Sequence, residues 1–263
     1  MRIIDLTMPL YEGMGYGSVY PQERPFEVEW IFTYERDGHQ RGVHMVSSEP
    51  GTRMILPSIH VLQKDSPKLD QLDLSKFVMR DTVILDIPKK AGEEITAAEM
   101  ERAFSQADVR TGDAVLLRTG WGDDERYIKL GENYELNSPF FHHTTRKRLA
   151  ELMKERQSDL FCYDMANMNP YPDLKNTWCA QKPRPKSWVS PEAKAFLAKQ
   201  KEGRVKQPGE VDGAAVLFGA GISAIGGLVN CGDISQKRFK LTALPLKVRG
   251  WGVGFCYAIA TEG

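Results

Sequence analysis

The chain has 263 residues, and its 35 Lys and Arg balance 35 Asp and Glu, so its formal net charge is zero. This length fits one large α/β domain with a substantial core, and the neutral balance argues against nucleic acid as a partner. No apolar run approaches the roughly 20 residues of a membrane-spanning helix, and the first residues do not resemble a signal peptide. We therefore expect a cytoplasmic protein that acts on a small molecule, with no nucleic-acid or membrane partner.

The first elements in chain order are predicted to be strands. Alternating apolar residues indicate β-strands at Arg2–Thr7, Phe26–Tyr34 and Val43–Ser48. The third strand leads into a loop from Glu49 to His60. A buried strand is then predicted at Thr82–Ile87, because five of its six residues are apolar or β-branched.

Two longer helices are predicted in the middle of the chain. Ile95–Gln106 has apolar residues at helical spacing, and Thr96 with Glu99 forms the pattern of a capping box. Thr144–Gln157 is rich in Arg, Lys and Glu along an apolar seam. Strands are predicted before and after this second helix, at Asp113–Trp121 and Leu160–Asp164.

The last third of the chain begins with an atypical segment at about 169–210. Asn169–Lys186 is rich in Pro and polar residues and is predicted to be a long ordered loop over the site. A helix is predicted from Ser190 to Lys201, with Pro at its first position. Ala214–Gly227 is Gly-rich but lacks the spacing and the acidic residue of a dinucleotide loop, which excludes that interpretation.

Two terminal strands and four cysteines complete the pattern. The strands are predicted within 239–247 and 249–260. The cysteines are widely spaced and form no C-x-x-C pair, so we expect buried, reduced thiols. They are Cys162, Cys179, Cys231 and Cys256.

The stretch from Glu49 to His60 reads Glu-Pro-Gly-Thr-Arg-Met-Ile-Leu-Pro-Ser-Ile-His. It resembles the signature of the cyclase family, which includes bacterial kynurenine formamidases and isatin hydrolases. That signature is His-x-Gly-Thr-His-x-Asp-x-Pro-x-His, and its His and Asp side chains hold zinc or manganese. Gly51, Thr52 and Pro57 keep the register of the signature.

The metal ligands of the family are replaced at most positions. Glu49 takes the place of the first His, Arg53 of the second and Ile55 of the Asp, and the last His falls on Ile59, next to His60. The resemblance further aligns Ala214 with a ligating His and Gly226 with a ligating Glu. Zinc and manganese need convergent His, Asp, Glu or Cys ligands, and a guanidinium repels a cation. We therefore predict no metal and no other cofactor.

Three residues of this stretch are candidate catalytic groups. Arg53 places a fixed positive charge where a metal would polarise a carbonyl group, so it is suited to stabilise an oxyanion. Glu49 pairs with Arg53 or acts as a base, and His60 is the candidate general acid–base group because it titrates near neutral pH. In the alternative interpretation, Glu49 and Arg53 form a buried salt bridge and His60 only packs.

Aromatic and polar residues elsewhere are candidates for substrate binding. Their types suit a planar or ring-containing substrate. They are Trp30, Tyr34, His44, Tyr163, Asp164 and Trp178.

The resemblance implies a single α/β domain over residues 1–263, of the family's swivelling β/β/α fold. A mixed, partly barrel-like β-sheet would be flanked by helices, with the active site at one end. It also implies a homo-oligomer, either a dimer or a tetramer. Three functions stay open: a metal-independent hydrolase of an amide, lactone or related carbonyl compound; a lyase, isomerase or ring-forming cyclase; and a non-catalytic small-molecule-binding protein.

Overall fold

A computed structural model describes residues 1–14, 26–45, 50–141, 143–168 and 215–263. Eight strands form one mixed sheet, and two pairs of strands lie outside it. In chain order the strands are β1 (Arg2–Asp5), β2 (Glu27–Phe32), β3 (Arg41–Met45), β4 (Arg53–Ile55), β5 (Arg80–Asp86), β6 (Glu94–Ile95), β7 (Ala114–Arg118), β8 (Phe140–Phe141), β9 (Leu160–Tyr163), β10 (Ser223–Gly226), β11 (Arg238–Pro245) and β12 (Val253–Glu262).

The main sheet closes on itself. The order is β12, β11, β5, β7, β9, β10 and β4, and β4 pairs with β12 again, so seven strands make a closed, barrel-like sheet. Strands β5, β7, β9 and β10 are parallel neighbours, whereas the remaining pairs are antiparallel. The eighth strand, β1, pairs with β12 from outside the ring. Closure leaves few unpaired edges in the sheet.

Alternation along each strand divides the core into an inner and an outer layer. In β9, Leu160 and Cys162 belong to a cluster inside the barrel, whereas Phe161 and Tyr163 belong to a second cluster outside it. In β4, Met54 faces inward and Ile55 packs in the outer cluster. The side chain of Arg53, two residues before Ile55, therefore lies on the outer side of the barrel.

Helices cover part of this outer side. The described helices are α1 (Tyr34–Asp37), α2 (Ala97–Gln106), α3 (Arg126–Lys129), α4 (Glu132–Leu136), α5 (His143–Glu155) and α6 (Ala215–Gly219). Residues of α2, α5 and α6 contribute Met100, Leu149 and Leu217 to the outer cluster. None of the described helices is long and apolar enough to cross a membrane.

The capping box predicted for α2 is confirmed. The backbone N–H of Glu99 donates to Thr96 Oγ1 over 3.3 Å, and the N–H of Thr96 donates to Glu99 Oε2 over 2.9 Å. Each bond satisfies a backbone donor that the first turn of a helix leaves without a partner.

The fold expected from the sequence is confirmed, and most predicted elements match within a few residues. One expectation is wrong: the stretch from Glu49 to His60 is not a loop throughout. Arg53–Ile55 forms β4, which is fully buried and closes the barrel between β10 and β12. Three residues are too few to show a strand pattern, and their pairing partners lie about 170 and 200 residues further along the chain.

Other predictions fall outside the described residues. These are the atypical segment at 169–210 with its helix, and the environments of Glu49, Trp178 and Cys179. The other three cysteines are free and buried, as expected.

Candidate functional site

Gly51 and Thr52 set the position of the backbone at the start of β4. Gly51 has φ 72°, and a Cβ atom there would lie 2.8 Å from Leu10 Cδ2, so this position requires glycine. Thr52 Oγ1 accepts from the N–H of Met8 over 2.8 Å and donates to the carbonyl of Gly227 over 2.7 Å. Thr52 thereby ties the N-terminal segment to the end of β10. The retained signature residues thus have structural roles.

Arg53 is buried directly after this pair, with 4% of its surface exposed. Its guanidinium donates from Nη1 to the carbonyl of Gly51 over 3.4 Å and from Nη2 to the carbonyl of Ala166 over 3.3 Å. Ala166 follows β9, so the guanidinium reaches across the sheet from β4 towards the end of β9. A charged group in such a water-poor place acts on neighbouring atoms more strongly than on the surface.

Arg53 belongs to a row of side chains that runs across the outer side of the sheet. It pairs in register with Gly226 of β10 on one side and with Phe255 of β12 on the other. Directly paired residues of antiparallel strands point to the same side of the sheet. Tyr163 of β9 lies beyond Gly226, so the row reads Tyr163, Gly226, Arg53 and Phe255.

The absence of a side chain at Gly226 is what lets Tyr163 lean over β10. A Cβ atom on Gly226 would lie 2.2 Å from both Cζ and Oη of Tyr163. The Tyr163 ring stacks on the Phe161 ring, with the two ring centroids 5.7 Å apart and the ring planes at 22° to each other. The hydroxyl end of Tyr163 therefore occupies the space above Gly226, on the side of Arg53.

A cavity of about 440 Å³ lies beside the start of β4 and beside β12. Phe255, the neighbour of Arg53, lines it together with Thr52. The full lining is Thr7, Met8, Leu10, Thr52, Leu244, Pro245, Leu246, Phe255, Cys256 and Tyr257. None of these lining residues is Asp, Glu, Lys, Arg or His, and the volume falls within the range of small-molecule sites. The cavity suits an uncharged, apolar group.

His60 is not brought to Arg53. Its Nδ1 accepts from the N–H of Leu62 over 3.2 Å, which caps a 3₁₀ helix at Val61–Gln63. A Cβ atom on Gly219 would lie 3.5 Å from the ring. Gly219 precedes β10, whereas Arg53 pairs with the last residue of β10. The two side chains thus lie at opposite ends of a strand about 10 Å long.

Asp164 is fully buried at the end of β9. Its carboxylate accepts from Thr119 Oγ1 over 2.6 Å and from the N–H of Gly120 over 2.7 Å. Burial raises the pKa of this carboxyl to about 6, although the bonds from Thr119 and Gly120 act in the opposite direction. In the structure this side chain joins the ends of β9 and β7, and substrate binding stays a sequence prediction.

The candidates on the β2–β3 hairpin lie apart from the row. Within the described residues these strands form a two-stranded sheet of their own. Trp30 is 47% and Tyr34 is 65% exposed, and the ring of His44 lies 5.7 Å from that of Phe26. Trp30 and His44 lie in this separate sheet and Tyr34 lies in α1, so none of the three belongs to the row. Of the candidates that the structure describes, only Tyr163 and Arg53 belong to the row.

Comparison with known proteins identifies the family. The Cyclase family model matches residues 4–170, which is more than half of the chain. The chain therefore belongs to the cyclase family. No protein of curated function matches its sequence.

Solved structures of known proteins show a similar fold. Isatin hydrolase A from Ralstonia solanacearum has a TM-score of 0.69 at 18% identity, covering 98% of this chain and 91% of that chain. Isatin hydrolase A from Labrenzia aggregata, bound to benzyl benzoate, has a TM-score of 0.66 at 20% identity, with 98% and 93% covered. A predicted metal-dependent hydrolase from Bacillus stearothermophilus has a TM-score of 0.62 at 17% identity, with 98% and 97% covered.

The described residues do not fit the metal that the family signature implies. Arg53 is a cation, Ile55 is apolar and packed in the outer cluster, and the space beyond Gly226 is filled by the Tyr163 ring. Across the part of the chain that the structure describes, no three His, Cys, Asp or Glu residues lie close enough to hold an ion. Neither a ligand set nor the room for one is present among these residues.

Several features of the site have no clear signal in the sequence. The alternation of Val253, Phe255 and Tyr257 could have placed Phe255 on the outer side of the sheet. The register of Phe255 beside Arg53, and the crossing of Tyr163 over Gly226, depend on pairings between strands that are distant in the sequence.

Proposed function

We propose that this chain is a metal-independent hydrolase that acts on a small amide, lactone or related carbonyl compound. The observation that carries the proposal is Arg53, a buried cation on the strand where the family signature places ligands of a catalytic metal. A fixed positive charge can replace the electrostatic part of a metal's role, because both stabilise negative charge that develops on a carbonyl oxygen.

The cavity that Thr52 and Phe255 line supports an apolar substrate. Phe255 lines this cavity and is the register neighbour of Arg53. An apolar ring or chain could lie in the cavity while its carbonyl group extends along the sheet towards the guanidinium. Because the substrate's apolar part needs no charged partner there, binding would come mainly from removal of apolar surface from water.

In the proposed reaction, a water molecule adds to the carbonyl carbon and the C–N or C–O bond then breaks. The carbonyl oxygen carries negative charge in between, and Arg53 stabilises it with N–H donors of fixed geometry. The products are a carboxylic acid and an amine or an alcohol. A lyase, isomerase or ring-forming cyclase would use the same charge without adding water.

Turnover of a panel of amides and lactones, with and without chelator, tests this proposal. We expect hydrolysis that the chelator leaves unchanged. Arg53→Lys and Arg53→Met should both lose activity, Lys less than Met, with a barrier about 3 kcal/mol higher for the loss of such a donor. Arg146→Met is the matched control, because Arg146 is also 4% exposed but lies on α5. Turnover that the chelator abolishes would contradict metal independence.

One observation favours a second candidate, a non-catalytic family member that binds a small molecule. Arg53 donates to two backbone carbonyls and is almost closed to solvent. If Arg53 only stabilises the fold, Arg53→Met should unfold at lower urea concentration and the panel should show no turnover. Binding of an apolar fluorescent probe in the cavity would then persist.

A further inference from the structure

The proposed reaction needs a group that moves protons, and Arg53 cannot provide one because its guanidinium stays protonated. His60 lies at the other end of β10, and Asp164 is turned towards Thr119 and Gly120. Among the described residues, Tyr163 is the titratable side chain that the fold places in the row with Arg53.

Register and packing place the phenol close to Arg53. The Cβ atoms of directly paired residues in antiparallel strands are about 5 Å apart. Tyr163 Oη lies 2.2 Å from the position of a Cβ on Gly226, the register partner of Arg53. The phenol oxygen is therefore within about 8 Å of Arg53 Cβ, on the same side of the sheet as the arginine side chain.

The surroundings of this pair are mostly apolar. Phe161 stacks behind the tyrosine ring, and Ile55 and Ala224 belong to the same outer cluster. Tyr163 is 1% and Arg53 is 4% exposed, so bulk water is largely excluded from both.

We propose that Tyr163 is the proton-transferring catalytic residue of this site and that it works together with Arg53. This inference rests on the proposed function. Gly226 is part of the same arrangement, because only a residue without a side chain leaves space for the Tyr163 phenol above β10, next to the position of Arg53.

The proton balance of the step is simple. As the C–N or C–O bond breaks, the Tyr163 hydroxyl gives its proton to the leaving nitrogen or oxygen. The phenolate then takes up a proton from the oxygen of the water that has added, which restores the tyrosine. No oxidant, reductant or further reactant is needed.

Tyr163→Phe tests the hydroxyl while it keeps the ring. We expect kcat to fall by roughly 100-fold or more, with KM and the urea midpoint nearly unchanged. Tyr134→Phe is the matched control, because Tyr134 is also fully buried but stacks on Trp121. An active Tyr163→Phe enzyme would overturn the catalytic role. Equal losses in both variants would indicate a general effect of removing a buried hydroxyl, and would overturn it as well.

A second measurement tests the contact between Tyr163 and Arg53 without a substrate. In protein labelled with ¹³C at tyrosine Cζ, the Tyr163 resonance is the one that Tyr163→Phe removes. Arg53→Met should shift this resonance and leave that of Tyr134 in place. No shift would overturn the coupled pair even in an active hydrolase. If the wild type hydrolyses nothing on the panel, the proposed function and the catalytic role both fail, and a shift would then establish only the contact.

Discussion

At the scale of a single residue, the role of His60 depends on where the fold places its imidazole. Its imidazole is of the right type for acid–base catalysis, but in the structure Nδ1 accepts the N–H of Leu62 and caps a 3₁₀ helix. The sequence places His60 beside the position of a family ligand, seven residues after Arg53. Because the chain continues past the end of β4, those seven residues lead away from Arg53.

We expect His60→Ala to affect stability more than turnover. Loss of a helix cap costs about 1 kcal/mol, whereas loss of a general acid–base group lowers turnover by roughly 100-fold. His60→Asn is the informative partner variant, because an amide oxygen can accept the N–H of Leu62 but cannot transfer protons near neutral pH. Urea unfolding and turnover of both variants decide the matter. If His60→Asn is stable but inactive, His60 is catalytic after all.

Asp164 leads to a prediction about pH. Its pKa is raised from 3.8 to about 6 in the folded protein, mainly by burial. The folded state therefore holds this proton more tightly than the unfolded state does. The resulting stabilisation is present below pH 3.8 and is lost as the pH rises through about 6.

The variant Asp164→Asn removes this titration. The stability of the wild type relative to Asp164→Asn should therefore be greater at pH 4.5 than at pH 7. The variant should also be less stable at both pH values, by about 1–3 kcal/mol, because its amide N–H group would face the donors of Thr119 and Gly120. Urea unfolding at the two pH values measures both effects. Parallel pH profiles would show that Asp164 titrates as in the unfolded chain.

At the scale of elements, the row across β9, β10, β4 and β12 joins residues that lie far apart in the chain. Parallel pairing brings β10 beside β9, and antiparallel pairing brings β4 between β10 and β12. Each pairing sets a register, and a slip of one residue would turn Arg53 from the outer side of the barrel to its interior. The site therefore depends on correct closure of the barrel at β4.

Gly226→Ala should destabilise the protein by about 1–3 kcal/mol, because the new methyl group would displace the Tyr163 ring from a packed site. Gly219→Ala is the control: its Cβ would meet His60 only at 3.5 Å, an ordinary contact. In a Tyr163→Ala background, the further cost of Gly226→Ala should largely disappear. Urea unfolding of the four variants measures this coupling. An equal cost in both backgrounds would show that the ring does not occupy the space above Gly226.

At the scale of the whole molecule, the fold is that of the cyclase family, whereas the described part of the signature region lacks its ligands. The residues that shape the region are kept: Gly51 makes room for Leu10, and Thr52 joins the N-terminal segment to β10. Such residues support the barrel whether or not an ion is bound. A fold can thus keep its architecture while the chemistry of its site changes.

We expect neither zinc nor manganese to affect the thermal stability of the protein. An ion that binds only the folded state raises Tm, by an amount that grows with its concentration relative to Kd. Melting curves with added zinc, added manganese or chelator should therefore coincide, and elemental analysis of the purified protein should find much less than one ion per chain. A Tm that falls on chelation would show that residues beyond those described complete a metal site.

The sequence by itself determined the class of the fold, most of its strands and the capping box of α2. These features are local: hydrophobic alternation, a Thr-x-x-Glu spacing and a short motif are all readable within a few residues. The sequence also indicated Arg53 as a candidate, because the resemblance to the family signature aligns this cation with a metal ligand.

Only the tertiary structure decided which candidate site residues lie close together. Arg53 and Tyr163 are 110 residues apart in the sequence but belong to one row, whereas Arg53 and His60 are close in sequence and lie at opposite ends of β10. The physical reason is that the parallel and antiparallel pairings of a closed sheet set non-local registers, which hydrophobic periodicity does not encode. The same pairings explain Gly226: the resemblance aligns it with a ligating Glu, and in the barrel its lack of a side chain leaves the space that the Tyr163 phenol occupies.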